Sequence, residues 1–199
     1  MRFQPSRPAV IFFELDDPHL QALRTYLQEI GYRERAWGTA LRSFGIDDAT
    51  LAGKLAGALA ETRRSRHVQF PDALPSLQRL SRSFRLALIT NGAPRIQRLK
   101  LEGSGLAEFF DPVIVSGELG IGKPDPAIFH YALERVGVPA ESALMVGNSL
   151  THDVAGAQSA GIRAVWVNRD RTPLPDEARP DLTVTMLEEL RPDEIQGEI

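Results

Sequence analysis

The chain has 199 residues, of which 43% are hydrophobic and 25% charged, with a net charge of −3 and no cysteine. That is the composition of one globular domain carrying at most a small insertion, long enough to bury about 70% of its unfolded surface without a staple. It excludes disulfides, thiolate metal sites and cysteine nucleophiles, and the acidic balance argues against a nucleic-acid partner.

No apolar run approaches the ~20 residues of a membrane span, so no membrane partner is expected. Residues 1–8 lack the apolar core of a signal peptide, and the run over 9–13 is too short to supply one. The expected location is the cytoplasm.

The first element is the run Ala9-Val10-Ile11-Phe12-Phe13. A short continuous apolar run reads as a strand buried on both faces, because helices need more length and half-buried strands alternate. Residues 18–70 hold no such run. They read as three helices, over 18–30, 33–44 and 48–66, broken near Gly31 and Gly45. Leu51, Leu55 and Leu59 recur at four-residue spacing, and Asp48 or Thr50 suits the cap of the third helix.

From residue 72 the pattern changes. Leu74, Leu77 and Leu80 mark a helix over 72–82, followed by the strand-like run Leu86-Ala87-Leu88-Ile89. Val113-Ile114-Val115, Ala143-Leu144-Met145-Val146 and Ala164-Val165-Trp166-Val167 are further strands. Between them lie helices over 126–136, opened by Pro126 and stopped by Gly137, and over 151–160. Strand and helix in alternation imply crossover units and a mostly parallel sheet. The tail, 169–199, offers one candidate edge strand at 183–185 and a short helix. The expected architecture is α/β: a Rossmann-like parallel sheet with helices on both faces. The expected division is a core of residues 1–17 and 71–199, with 18–70 as a helical insertion after the first strand.

Ligands of open parallel sheets bind beyond the carboxyl ends of the strands. Those ends carry Glu14-Leu15-Asp16-Asp17, Thr90-Asn91-Gly92, then Ser116 to Lys123, and Asn148-Ser149 through Asp153. Carboxylates, a hydroxyl, a helix start and a lysine on one edge suit an anionic ligand accompanied by a hard cation. Oxygen donors hold Mg²⁺, and the N–H groups of a helix start bind phosphate oxygens. His19, His67, His130 and His152 lack metal-ligand spacing, and the basic run at 63–67 reads as a solvated helix end.

Four of these segments, in order, resemble the motifs of the haloacid dehalogenase superfamily, most of whose members are Mg²⁺-dependent phosphatases. They are Phe13-Glu14-Leu15-Asp16-Asp17, Ile89-Thr90-Asn91-Gly92, Gly122-Lys123-Pro124-Asp125-Pro126, and Gly147-Asn148-Ser149 through Asp153-Val154-Ala155-Gly156-Ala157. The resemblance covers about residues 9–170, and the helical insertion matches the position of that family's cap.

The resemblance implies a two-step phosphoryl transfer on a small phosphorylated metabolite. Glu14 falls at the nucleophile position and Asp16 at the acid/base position. Thr90, Asn91 and Gly92 fall at the phosphate contacts, and Lys123 at the charge-balancing position. Glu14, Asp16, Asn148 and Asp153 fall at the Mg²⁺ site.

Three positions depart from the family pattern. Glu14 stands where aspartate is usual, and its extra methylene displaces the carboxylate by roughly 1 Å. Pro18 replaces a threonine, removing a hydroxyl and an N–H. Asn148 is neutral where a metal-binding aspartate is usual. A relative that binds phosphate without turnover therefore stands beside the phosphatase as an alternative. A phosphosugar mutase shares the motifs, while a 2-haloacid dehalogenase suits the resemblance less, because Asn148 and Asp153 stand five apart as in the phosphatase pattern. Substrate and oligomeric state are left open by the sequence.

Overall fold

The computed structural model describes residues 9–14, 32–65 and 69–197. Asp16, Asp17 and Pro18, the expected helix over 18–30, and His19 and His67 lie outside the described residues. The described residues fall into two compact units: 9–14 with 69–197, and 32–65.

The larger unit is built on six parallel strands: β1 (Val10–Phe13), β2 (Arg85–Thr90), β3 (Val113–Val115), β4 (Ala143–Gly147), β5 (Arg163–Val167) and β6 (Leu182–Val184). Their order across the sheet is β3-β2-β1-β4-β5-β6, and every pairing is parallel. The candidate strand at 183–185 is thus an edge strand, shifted by one residue.

Period-two geometry explains the unbroken apolar runs. Ile11 and Phe13 point to one face, with Leu86, Leu88, Leu144, Val146, Val165 and Val167. Val10 and Phe12 point to the other, with Ala87, Ile89, Ala143, Met145, Ala164 and Trp166. Each face is covered, so β1 and β4 are buried along their whole length, and β2 and β5 reach solvent only at their first residues, Arg85 and Arg163.

The first face packs on Leu77 and Leu80 of α3 (Ala73–Leu80) and Leu101 of α4 (Pro94–Ser104). Ile195 of α8 (Pro192–Gly197) closes it near β6. The second face packs on Ile128, Phe129, Ala132 and Leu133 of α6 (Pro126–Val136), whose Asp125 accepts the Ala127 N–H as its cap. Burying each such side chain is worth about 1.5–3 kcal/mol.

A short helix, α5 (Ser116–Leu119), follows β3 where only a loop is expected. The helix expected over 151–160 also differs. It opens as a wide π-helical turn, Leu150–Ala155, and continues as α7 (Gly156–Ser159). The Ser149 carbonyl accepts both the Asp153 N–H at 2.9 Å and the Val154 N–H at 3.1 Å. That second bond spans five residues, which widens the turn.

The smaller unit pairs α1 (Tyr32–Ser43) with α2 (Ala49–Ser65). Asp48 caps α2 by accepting the Leu51 N–H at 2.9 Å. Among the residues of this unit whose burial is described, Leu41, Ala52 and Ala56 are buried, while Leu51 and Leu55 are half-buried. Among the described residues no helix is long and apolar enough to cross a membrane.

Candidate active site

The strand order fixes where a ligand belongs. The chain steps from β1 outward to β2 and β3, then returns to β4 on the other side of β1. The switch point lies between β1 and β4, the place where open parallel sheets bind ligands beyond the carboxyl ends of their strands. Glu14, the residue after β1, bridges it: its N–H donates to the Val146 carbonyl of β4 at 3.2 Å.

The Glu14 side chain reaches two partners. Its Oε1 accepts a hydrogen bond from the Thr90 hydroxyl at 3.0 Å, and its Oε2 accepts one from the Lys123 ammonium. Thr90 ends β2 and is fully buried, so its hydroxyl requires such a partner. Lys123 also donates to the Ile89 carbonyl at 2.8 Å and pairs with Asp153 Oδ1 at 2.7 Å. Its side chain is 1% exposed, that of Asp153 2%, and that of Glu14 15%. Burial pushes the Lys123 ammonium's pKa down, and the Asp153 carboxylate opposes that push.

Two devices hold these groups in register. The Asn91 side chain clamps the main chain of Lys123: Nδ2 donates to the Lys123 carbonyl at 2.8 Å, and Oδ1 accepts the Lys123 N–H at 2.9 Å. Gly122 makes room for that clamp, since a Cβ there would stand 2.7 Å from Asn91 Oδ1. Asp153 is fixed by the Ser149 N–H, donated to Oδ2 at 2.9 Å. Gly147 makes room in turn, because a Cβ on it would lie 2.5 Å from the Asp153 side chain. The widened turn after β4 carries Asp153 back to this position.

Of the residues singled out by sequence, Glu14, Thr90, Lys123 and Asp153 are therefore joined in one buried network. Asn91 belongs to it as the residue that positions Lys123. The Gly92 N–H is donated to Ser116 Oγ at 2.9 Å rather than left free for a ligand. Asn148 sits half-buried at the end of β4, where its carbonyl accepts the Trp166 indole N–H at 2.9 Å. Asp16 lies outside the described residues. Ser116 and Ser149 are participants that sequence reasoning passed over. Their position directly after a strand was the available signal, but nothing local distinguishes them from ordinary turn serines.

The chemistry of the donors bears on Mg²⁺. Glu14, Asn148 and Asp153 offer only oxygen. Two carboxylates around one ammonium give the cluster an excess of negative charge, which a cation would offset. Among the described residues no group of three Asp, Glu or His assembles. Mg²⁺ commonly takes one or two carboxylates and keeps several waters, so this donor set fits it.

Comparison with known proteins agrees with this geometry. The sequence profile of the haloacid dehalogenase-like hydrolases matches residues 11–161. A phosphoserine phosphatase of Thermus thermophilus is 45% identical over 174 residues, covering 87% of this chain and 68% of that protein. The pyrimidine 5'-nucleotidase YjjG of Escherichia coli is 35% identical over 139 residues, covering 69% of this chain and 62% of that protein. The chain thus spans roughly two thirds of the length of these relatives. The crystal structure of the putative HAD-hydrolase YfnB of Bacillus subtilis, bound to magnesium, superposes with a TM-score of 0.73 at 23% identity, covering 92% of this chain and 97% of that one. With the sheet order, the strand-end network and the matched residues in agreement, the chain belongs to the haloacid dehalogenase-like hydrolases.

Proposed function

We propose that the protein hydrolyses phosphate monoesters of small metabolites, with Mg²⁺ as its cofactor. The observation that carries this reading is the Glu14 carboxylate, held at the sheet's switch point by the Thr90 hydroxyl and the Lys123 ammonium. A carboxylate nucleophile, a hydroxyl donor and a buried cation are the groups that phosphoryl transfer through a covalent intermediate requires. The relatives named as phosphatases and nucleotidases support the substrate class.

In this mechanism a Glu14 oxygen attacks phosphorus as the bond from phosphorus to the ester oxygen breaks. The leaving oxygen takes a proton from Asp16. Asp16 then removes a proton from water, whose oxygen attacks the phosphorus of the acyl phosphate, freeing phosphate and restoring Glu14. Lys123 and Thr90 hold the phosphoryl oxygens, and Asn91 keeps Lys123 in place. Glu14, Asn148, Asp153 and the Asp16 main-chain carbonyl would hold Mg²⁺, which offsets charge on the phosphoryl oxygens. Residues 18–70 are the segment we assign to choosing the substrate.

The test is phosphate release from a panel of phosphomonoesters, with and without Mg²⁺. Release that requires Mg²⁺ and is lost in Asp16→Asn supports the assignment. One observation favours a second reading, a phosphate-binding protein without turnover. Glutamate is longer than the usual aspartate, and it already holds both phosphoryl contacts. Retained ester binding with no release from any ester would establish that reading in place of the first.

A further inference from the structure

The Lys123 ammonium has three N–H bonds and no acceptor. All three are taken, by Glu14 Oε2, Asp153 Oδ1 and the Ile89 carbonyl. The Thr90 hydroxyl is taken as well, by Glu14 Oε1. A phosphorylated ligand that uses these two groups must therefore dislodge a partner. Ile89 O is main chain inside the sheet. Asp153 is buried and tied to the Ser149 N–H. Glu14 is the most exposed of the three charged groups, and its carboxylate ends a side chain of several rotatable bonds. Among the described residues it is the side chain that hydrogen-bonds both the Thr90 hydroxyl and the Lys123 ammonium.

We propose that the Glu14 carboxylate is an internal occupant of the anion seat. Its two oxygens stand in for two oxygens of a phosphoryl group, and a phosphate ester binds only by displacing them. The inference rests on the reading of Thr90 and Lys123 as phosphoryl contacts. It adds that the protein is held in a self-occupied state by a residue of its own chain. Glutamate has the length to reach both donors at once from the end of β1. Ligand affinity is then lowered by the fraction of molecules whose seat is filled, whatever the rest of the ester contributes.

The experiment measures binding of inorganic phosphate to the full chain by calorimetry, with a chelator present so that loss of a metal ligand does not enter. Wild type, Glu14→Ala and Glu14→Gln are compared, and the last keeps the side chain's shape should the alanine variant fold poorly. Removing the competing charge should tighten phosphate binding at least about tenfold, the worth of one charge-assisted hydrogen bond. Adding Thr90→Val to Glu14→Ala should reverse most of the gain. If wild type binds phosphate and both Glu14 variants bind no tighter, the occupant is refuted while the phosphate site stands. If none of the three binds phosphate, the reading of Thr90 and Lys123 fails, and the inference fails with it.

Discussion

Asn91 offers the sharpest separation between a residue that touches a ligand and one that positions another. Its amide makes two hydrogen bonds to the main chain of Lys123, at 2.8 and 2.9 Å, and Lys123 is almost wholly buried. Asn91→Ala removes both partners at once and leaves a buried N–H and a buried carbonyl unsatisfied. Each such bond contributes about 1 kcal/mol, and each orphaned group costs about 1–3 kcal/mol. The expected loss for the two orphaned groups is therefore about 2–6 kcal/mol, read from urea denaturation as a lower midpoint at unchanged slope. Gly122→Ala should reach the same end by another route, since its Cβ would meet Asn91 Oδ1 at 2.7 Å. The double variant should then cost much less than the sum of the singles, because both break the same clamp. Two fully additive losses, or a loss below ~0.5 kcal/mol for Asn91→Ala, would refute the clamp.

Further outcomes follow from the same network. Lys123→Met leaves Glu14 and Asp153 buried without their cation, so it should cost about 3–5 kcal/mol in chemical denaturation as well as weaken phosphate binding. Glu14→Asp shortens the reach to Thr90 and Lys123; kcat on a reactive aryl phosphate should rise roughly 100-fold, no rise would mean Pro18 or Asn148 also disables the site, and a fall from an active wild type would mean the site is adapted to glutamate. Glu189 is held below the ordinary carboxylate range chiefly by the Thr185 hydroxyl, with the Thr185 and Met186 N–H groups adding to it. A depressed pKa means that the contact is intact above the ordinary glutamate value and lost as pH falls through the lower one. The Thr185 and Met186 amide resonances should titrate in that acid window, and should not in Glu189→Gln.

The parts of this molecule that the sequence makes legible are those with a local cause. Apolar runs bounded by polar residues place β1 to β5, because burial on both faces forbids alternation, whereas the edge strand β6, with Thr183 exposed, is legible only as a candidate. The strand ends are legible for the same reason: a hydrophobic run stops where Glu14, Thr90 and Asn148 begin. What is not legible depends on two distant segments meeting. Asn91 reads as one of three phosphate contacts, yet its side chain is spent on Lys123, 32 residues away. Gly92 likewise donates to Ser116, because β2 and β3 end side by side. The wide turn at 150–155 has no signature in residue type, since it arises from one carbonyl accepting two N–H groups. The leucine row of α2 marks the helix, Ala49–Ser65, but does not show that Ala52 and Ala56 are more deeply buried than Leu51 and Leu55.

The position of Glu14 also explains why its identity matters more than that of its neighbours. Asn148 is anchored through its main chain, whose carbonyl accepts the Trp166 indole N–H whichever side chain stands there. Glu14 has no such latitude. Its N–H is bonded to the Val146 carbonyl of β4, so the main chain is held at that point, and the length of the side chain sets how far the carboxylate can reach. The Thr90 hydroxyl and the Lys123 ammonium stand at the end of that reach, and Lys123 is itself fixed by Asn91, Ile89 and Asp153. Between two rigid ends, one methylene decides whether the carboxylate rests on its donors or leaves them to a ligand.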